Sequence, residues 1–319
     1  MLASGALALA CIDAAMAQSQ NYPVRPIRVV VPYTPGGITD VVTRIVAQEV
    51  AKAVGQNVLV DNRPGANSIL GAELVAKATP DGYTLASVIA AHAANQTLYP
   101  KLPYDSIKSF APVSLLVTAP LIVTANNNLA AKDAKELVAL AKAKPGALSF
   151  GSSGIGAAAH LTTELLMLTT GIKLNHVPYK GTGPAIIGLL SGEVQVAFSG
   201  AIATVPHVRG GRLRALAVAG DKRARALPDV PTVAEQGYPG YEANSWNGIV
   251  APAKTPRPIV DKLNTAIIKV LQMRDVREHM IADGAEPTHN TPEEFGALIA
   301  SGHAKWTKVI NAAGLKEKI

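Results

Sequence analysis

The sequence predicts an α/β fold in which mainly parallel β-sheets are flanked by helices. Short apolar runs rich in β-branched residues alternate with longer stretches in which apolar residues recur at helical spacing, a pattern typical of βαβ units. Hydrophobic residues make up 48% of the 319 residues but aromatic residues only 4%, which suits strands that are buried on both faces. Because only 17% of the residues are charged, the composition excludes an intrinsically disordered chain.

The first half of the chain contains a βαβαβ unit. Its first apolar run, IRVVVPY, is broken by Thr-Pro-Gly-Gly, after which Thr39 is the expected N-cap of a helix that stops at Gly55. Such crossovers join parallel neighbours, so the unit predicts a parallel sheet. The predicted strands are 27–33, 57–60 and 83–90, and the second helix is 70–78.

The same alternation returns in the second half and is followed by a helical C-terminus. Residues 227–240 are rich in Pro and Gly, which predicts a surface excursion. The predicted strands are 148–150, 174–178, 194–198 and 213–218, and the predicted helices are 132–144, 157–169, 185–190, 258–273, 275–282 and 292–313.

Two glycine-rich loops occur at corresponding places, where a strand ends and a helix begins. Gly36 and Gly37 form the first loop, and residues 151–156 (GSSGIG) form the second. Ligands of open α/β sheets bind at the carboxyl ends of strands, where free backbone N–H groups and the helix dipole favour an anion. The two loops therefore predict anion-binding walls that face each other across a cleft. Asp40 is interpreted first as a brace of its loop and second as a contact to a ligand amine.

Other chemistries fit the residues poorly. The second loop mimics a dinucleotide motif, but residues 174–178 lack the acidic residue that would bind the ribose. No Gly-Lys-Ser/Thr follows the loop, and residue 155 is Ile where a nucleophile elbow centred on Ser153 would need Gly. No two of the seven histidines have metal-pair spacing, so we expect neither a cofactor nor a metal. His160 is interpreted as a ligand contact or as a histidine packed between loop and core.

Residues 1–17 (MLASGALALACIDAAMA) indicate a secretory signal peptide. They end in an A-x-A cleavage pattern at residues 15–17, although no Lys or Arg precedes the apolar run. The only cysteine is Cys11, which excludes a disulfide framework and leaves a lipoprotein anchor at Cys11 as the rival interpretation. The formal net charge of +7 is spread along the chain without a block of like charges, so no nucleic-acid partner is expected.

An ordered set of short motifs gives the chain its family resemblance. It resembles the Bug-type periplasmic solute-binding proteins of tripartite tricarboxylate transporters over nearly all of the sequence after residue 17. The motifs are YPVRPI at 22–27, VPYTPGG at 31–37 with Asp40, NRPG at 62–65, PDGYTL at 80–85, LPYD at 102–105, GSSG at 151–154 with Gly156, His160 and Leu161, HVPYKG at 176–181, LPDVPT at 227–232, GYE at 240–242, and Trp246 with Ala251-Pro252.

The resemblance implies a two-lobed periplasmic-binding-protein (Venus flytrap) fold without catalytic chemistry. Residues 18–124 together with 244–319 would form the first lobe, and residues 125–243 the second. The protein would reside in the periplasm, bind a small carboxylate (a dicarboxylate, tricarboxylate, acidic amino acid or aromatic acid) and deliver it to the membrane permease subunits of a tripartite tricarboxylate transporter. A role with a sensor kinase ectodomain is the alternative, and a monomer is expected.

The resemblance also implies which residues contact the ligand. The two loops would hold a carboxylate, and the end of a later strand, with Ala91 and His92, would tune specificity. The contacts carried over are Tyr33, Thr34, Gly36, Gly37 and Asp40 from the first lobe, Ser152, Ser153, Gly154, Gly156 and His160 from the second, and Ser199, Gly200, Ala91 and His92 at the specificity positions. A serine hydrolase that uses Ser153 with His160 is the enzymatic alternative, and it lacks a third group to orient the histidine.

Overall fold

The computed structural model describes residues 21–282 and 284–316, so the expected signal peptide at 1–17 and Cys11 lie outside the described residues. The strands are β1 (Ile27–Val31), β2 (Val58–Asn62), β3 (Thr84–Ile89), β4 (Phe110–Asn126), β5 (Ser149–Ser152), β6 (Asn175–Pro178), β7 (Val196–Gly200), β8 (Leu213–Val218), β9 (Asn244–Pro252) and β10 (Glu286–Pro287). The helices are α1 (Ile38–Val54), α2 (Ile69–Ala76), α3 (Ala90–Leu98), α4 (Ala134–Ala143), α5 (Ala158–Thr170), α6 (Thr182–Ser191), α7 (Ala201–Arg209), α8 (Arg257–Gln272), α9 (Arg274–Ala282) and α10 (Pro292–Ala312). Within the described ranges, no helix combines the length and apolar character needed to cross a membrane.

The predicted alternation of strands and helices is confirmed, and two local predictions are wrong. The N-cap of α1 is Gly37 rather than Thr39, because Gly37 already has the extended backbone of an N-cap (φ −77°, ψ 163°). The Pro- and Gly-rich segment 227–240 packs against the core instead of forming a surface excursion. Its Val233 is fully buried, and the amide of Gln236 donates to the Leu216 carbonyl at 2.8 Å.

The sheet is mixed, with parallel outer strands and antiparallel central ones. Its order is β2-β1-β3-β9-β4-β7-β5-β6, and β8 and β10 also pair with β4. The parallel pairs are β1–β2, β1–β3, β5–β6 and β5–β7, as the βαβ units predict. β9 is antiparallel to β3 and β4, while β7, β8 and β10 are each antiparallel to β4.

The long strand β4 connects the two groups of parallel strands. Its residues 110–120 pair with β9, and its residues 121–126 pair with β7 and β8. The register shifts between Pro112 and Ser114, between Leu115 and Val117, and again between Val123 and Thr124. Such irregularities increase local twist, so one strand can serve two differently oriented groups.

The C-terminal helix α10 covers both halves of β4. Trp306 and Ile310 lie in an apolar core with Leu166 of α5. Nearer the start of the same helix, Phe295 lies in a second core, where its ring meets Trp246 of β9 edge-on at 5.4 Å. Because α10 buries side chains in both cores, it ties the two groups of strands together.

Candidate ligand-binding site

The carboxyl ends of the two groups of parallel strands face each other beside β4. Ile89 at the end of β3 pairs with Asn247 of β9, which pairs with Val117 of β4. Gly200 at the end of β7, which runs opposite to β3, pairs with Leu121 of β4. Four residues of an extended strand span about 13 Å. The helices that follow β3 and β7 therefore begin on opposite sides of a narrow gap.

Six helices start at these strand ends, and none of them has a side-chain N-cap. They are α1, α2 and α3 after β1, β2 and β3, and α5, α6 and α7 after β5, β6 and β7. By contrast, Asp133 caps α4, and Thr291 forms a capping box with Glu294 at α10. The first N–H groups of a helix have no partner within it, and its N-terminus carries a partial positive charge. The gap is therefore a region rich in available donors.

The first glycine-rich loop is open to solvent and is held from behind by Asp40. Residues 34–37 are exposed, whereas Asp40 is only 3% exposed. Its carboxylate accepts hydrogen bonds from the Gly36 N–H at 3.0 Å, the Asn62 amide at 2.9 Å and the Arg44 guanidinium at 3.0 Å. Burial alone would raise the pKa of Asp40, but these hydrogen bonds and the charge of Arg44 lower it below its ordinary value. The structure therefore shows Asp40 as the brace of its loop.

The second glycine-rich loop is held by its own side chains. The Ser152 hydroxyl donates to the Gly154 carbonyl at 3.0 Å and accepts from the Gly154 N–H at 3.2 Å. The Gly156 N–H donates to Nδ1 of His160 at 3.0 Å. Gly154 and Gly156 have φ values of +136° and +74°, which side chains with a Cβ rarely adopt. Ser153 is half-buried.

Two stacked histidines lie behind this loop. The ring of His160 stacks on that of His176 with centroids 3.9 Å apart, and Phe150 stacks on His176 at 4.7 Å. Because Nδ1 of His160 accepts from Gly156, its Nε2 carries the proton and faces the Glu164 carboxylate at 3.3 Å. Burial, followed by the neighbouring His160, lowers the pKa of His176 to about 4. His160 is only 2% exposed. Because its Nδ1 accepts from the Gly156 N–H, the histidine positions the loop from behind.

The hydrolase alternative finds no support in this geometry. Among the described residues, no hydrogen bond joins Ser153 to His160, whose two ring nitrogens face Gly156 and Glu164. The serine that does contact a histidine is Ser152, with Oγ 2.7 Å from Nε2 of His176. Ser152 is 1% exposed, and its hydroxyl also lies within hydrogen-bond distance of the Gly154 carbonyl, at 3.0 Å. The Ser152 hydroxyl is therefore buried within the loop and not presented to solvent.

Ala91 lies where the two sides of the gap come together. Ala90 and Ala91 of α3 line a small cavity with Ala158 and Leu161 of α5 and with Ser245. The volume of this cavity is about 10 Å³, enough for one water molecule at most. The starts of α3 and α5 thus nearly touch at this point.

His92 and the Tyr33 hydroxyl are buried on the first side. His92 is 1% exposed; its Nε2 lies 2.8 Å from the Ser106 carbonyl, and its ring stacks on Tyr104. Burial lowers the pKa of His92 to about 4, opposed by the Ser106 hydrogen bond. The Tyr33 hydroxyl makes no hydrogen bond of normal geometry among the described residues, and burial raises the pKa of this phenol, opposed by the nearby Ser68 side chain. Both groups therefore lie in the interior of the first side.

Two glycines at helix starts have room in front of them that no described residue fills. Gly200, the N-cap of α7, has φ −61°, and an added Cβ would meet nothing within 4 Å. At Gly37, the N-cap of α1, an added Cβ would lie 3.8 Å from the Thr34 carbonyl oxygen, an ordinary contact. Neither glycine is required by its own backbone or by packing within the described chain. Ser199, next to Gly200, is 4% exposed and pairs with Ile122.

Sequence reasoning missed several residues that shape the site. Ala66, Asn67 and Ser68, before α2, all have positive φ values, of 46°, 49° and 75°. The Asn95 amide holds this turn by donating to the Asn67 carbonyl at 2.8 Å. The NRPG motif pointed to the neighbourhood, but three successive left-handed residues without glycine have no sequence signal.

Comparison with known proteins places the chain in a family. A family described as "Tripartite tricarboxylate transporter family receptor" matches residues 42–315. Protein BugT of Bordetella pertussis is 39% identical over 307 residues, which cover 96% of this chain and 94% of BugT.

Solved structures agree in fold. Rpa4515 of R. palustris, solved with adipate, superposes with a TM-score of 0.80 at 35% identity and covers 92% of this chain and 98% of its own. MatC of Rhodopseudomonas palustris, solved with bound malate, has a TM-score of 0.77 at 35% identity and covers 91% of this chain and all of its own. The fold is thus the α/β fold of periplasmic binding proteins. The chain belongs to the receptor family of tripartite tricarboxylate transporters, the Bug-type periplasmic solute-binding proteins.

Proposed function

We propose that this protein is an extracytoplasmic receptor that captures a small carboxylate in the gap between the two glycine-rich loops. The observation that carries the proposal is the convergence of helix starts without side-chain caps on the facing strand ends. Backbone N–H groups at helix N-termini bind anions, and a hydrogen bond to a charged group contributes about 1.5–3 kcal/mol.

The relatives support a carboxylate as the ligand class. Rpa4515 was solved with adipate and MatC with malate, and each covers more than 90% of this chain. Both ligands are dicarboxylates, and both proteins belong to the same fold.

The proposed contacts divide into direct and supporting ones. Positions at the helix starts would contact the ligand. Thr34, Gly36, Gly37, Ser153, Gly154 and Gly200 are exposed or half-buried, and the buried Ala91 lines the small cavity between α3 and α5. Buried residues, and the half-buried Tyr33 with its buried hydroxyl, would act by holding those positions in place; the buried residues are Asp40, His92, Ser152, Gly156, His160 and Ser199. The second group should affect affinity through the loops.

The proposal extends to a two-lobed receptor that closes on its ligand. The lobes would be residues 18–124 with 244–319 and residues 125–243, joined through β4 and the segment that leads into β9. Closure would exclude water and strengthen each N–H to carboxylate bond. The closed form would deliver the ligand from the periplasm to permease subunits in the membrane.

Substitution of the two open glycines tests the proposal. A methyl group at Gly37 or Gly200 fits the chain itself but would stand where the carboxylate approaches. Titration calorimetry with adipate and malate, on protein refolded from denaturant to remove bound ligand, should show affinity weakened about tenfold or more in Gly37→Ala and Gly200→Ala, the value of one charged hydrogen bond.

Gly302→Ala is the matched control. Its added Cβ would lie 3.6 Å from the Ala93 Cβ, an ordinary contact within α10 packing, so its affinity should equal that of the wild type. Absence of binding to every small carboxylate by the refolded wild-type protein would refute the receptor function. Unchanged affinity in both cleft variants would refute the location of the site.

A further inference from the structure

We propose that the site selects carboxylates that carry no amino group, so that acidic amino acids are rejected. This inference rests on the proposed function and narrows its ligand class. An ammonium group that leaves water needs an anionic or strongly polar acceptor to replace its hydration. The charged acceptor at the first loop, the Asp40 carboxylate, is already occupied by groups of the chain itself.

The carboxylate of Asp40 has no free face. It accepts from Gly36, Asn62 and Arg44, all within 3.1 Å, and it is 3% exposed. Its hydrogen bonds lower the pKa of Asp40, so the group stays ionised and paired. A ligand amine could reach this carboxylate only by displacing the bond that holds Gly36 in place.

The first turns of the other helices at the gap contain no acidic residue. This holds for α2, α3, α5, α6 and α7. Of the helices that begin elsewhere, α4, α9 and α10 each carry an acidic residue in the first turn, and α8 does not. Acidic residues near a helix start are normally favourable, because they complement the partial positive charge there. Their absence on this side of the sheet leaves that charge to the ligand.

The second loop also lacks a free charged acceptor. The Ser152 oxygen accepts from the Gly154 N–H, and Nδ1 of His160 accepts from the Gly156 N–H. The Glu164 carboxylate faces Nε2 of His160 on the side away from the loop. Among the described residues, the side-chain acceptors that remain at the loops and strand ends are neutral, namely the hydroxyls of Tyr33, Thr34, Ser153 and Ser199 and the buried Asn247 Oδ1, which has no hydrogen-bond partner. A neutral oxygen is a weaker partner for an ammonium than a carboxylate is.

Electrostatics acts in the same direction. Converging helix N-termini place several partial positive charges around the gap. They attract a carboxylate and repel an ammonium carried on the same molecule. An amino acid therefore meets a repulsive field and finds no counter-charge, while the corresponding hydroxy acid or plain dicarboxylate keeps the full attraction.

Matched ligand pairs test this selection. Calorimetric titration of the refolded wild-type protein should compare malate with aspartate, glutarate with glutamate, and adipate with 2-aminoadipate. In each pair that binds, the amine-free acid should bind about tenfold tighter or more, since one unreplaced polar partner has an effect of this size. Aspartate, glutamate or 2-aminoadipate binding as tightly as its partner would overturn the inference and leave the receptor function standing. If none of the six acids binds, and other small carboxylates also fail to bind, both are overturned.

Asp40→Asn provides a second readout on protein confirmed to be folded by circular dichroism. A brace that touches no ligand should weaken both members of a pair by the same factor and leave their ratio unchanged. If the substitution weakens the affinity for the amino acid more than that for its amine-free partner, then Asp40 binds the amine, which contradicts the inference.

Discussion

The substitution Ala66→Gly is expected to stabilise the protein, although Ala→Gly usually destabilises. Ala66 is exposed and has a φ of +46°. A left-handed conformation costs an L-residue roughly 1–2 kcal/mol, while glycine loses about 0.5–1 kcal/mol through the greater entropy of the unfolded chain. The difference predicts a gain of about 0.5–1 kcal/mol in the free energy of unfolding.

Ala304→Gly is the matched control of opposite sign. Ala304 is exposed within α10, where glycine is about 1 kcal/mol less favourable than alanine. Urea denaturation followed by circular dichroism should therefore separate the two variants by about 1.5–2 kcal/mol at equal m-values. An Ala66→Gly variant no more stable than the wild type would refute the strain assigned to this turn.

Three further substitutions test the brace, the core and a helix cap. Because the folded-state pKa of Asp40 is lowered, its contribution to stability is present above its unfolded pKa near 3.9 and is lost as the pH falls through the folded value. Urea denaturation from pH 3 to 7 should thus show the largest difference in the free energy of unfolding between wild type and Asp40→Asn near neutrality. A difference that grows in acid would contradict the role of Arg44. Gly248→Ala would place its Cβ 2.2 Å from Cζ of Phe295 and should cost about 3 kcal/mol or more by overpacking, so a normal melting temperature would refute the close approach. Thr291→Ala removes the capping box of α10 and should lower the free energy of unfolding by about 1 kcal/mol, measurable in the same denaturation series.

The parts of the fold that followed from the sequence are those whose signals are local. The valine-rich run of β1 and the helix ended by Gly55 depend on residues close together in the chain. The central strands β4 and β9 escaped detection. β4 contains Pro112 and Pro120, which normally argue against a strand. Similarly, α3 follows β3 with no turn residue between them, and α7 contains Pro206.

The same distinction applies to the site. The glycine-rich loops and the bracing role of Asp40 were predictable, because the Gly36 N–H lies only four residues away from its acceptor. The contact between Asn62 and Asp40 spans 22 residues, and the contact between Ser152 and His176 spans 24. Both depend on which residues the paired strands bring side by side, and a single sequence carries no signal for that register. The burial of His92 was likewise not predictable, because it depends on packing against Tyr104, a residue distant in the sequence.

The helix starts that lack side-chain caps have a consequence for the lifetime of the protein. Without a bound ligand, their first N–H groups depend on water for hydrogen bonds, and a carboxylate would replace that water as a shared cap for several helices. At a ligand concentration of 100 times Kd, binding raises the free energy of unfolding by about 2.7 kcal/mol. Occupied receptors would then resist proteases for longer than empty ones, and the abundance of the receptor would follow the supply of its solute.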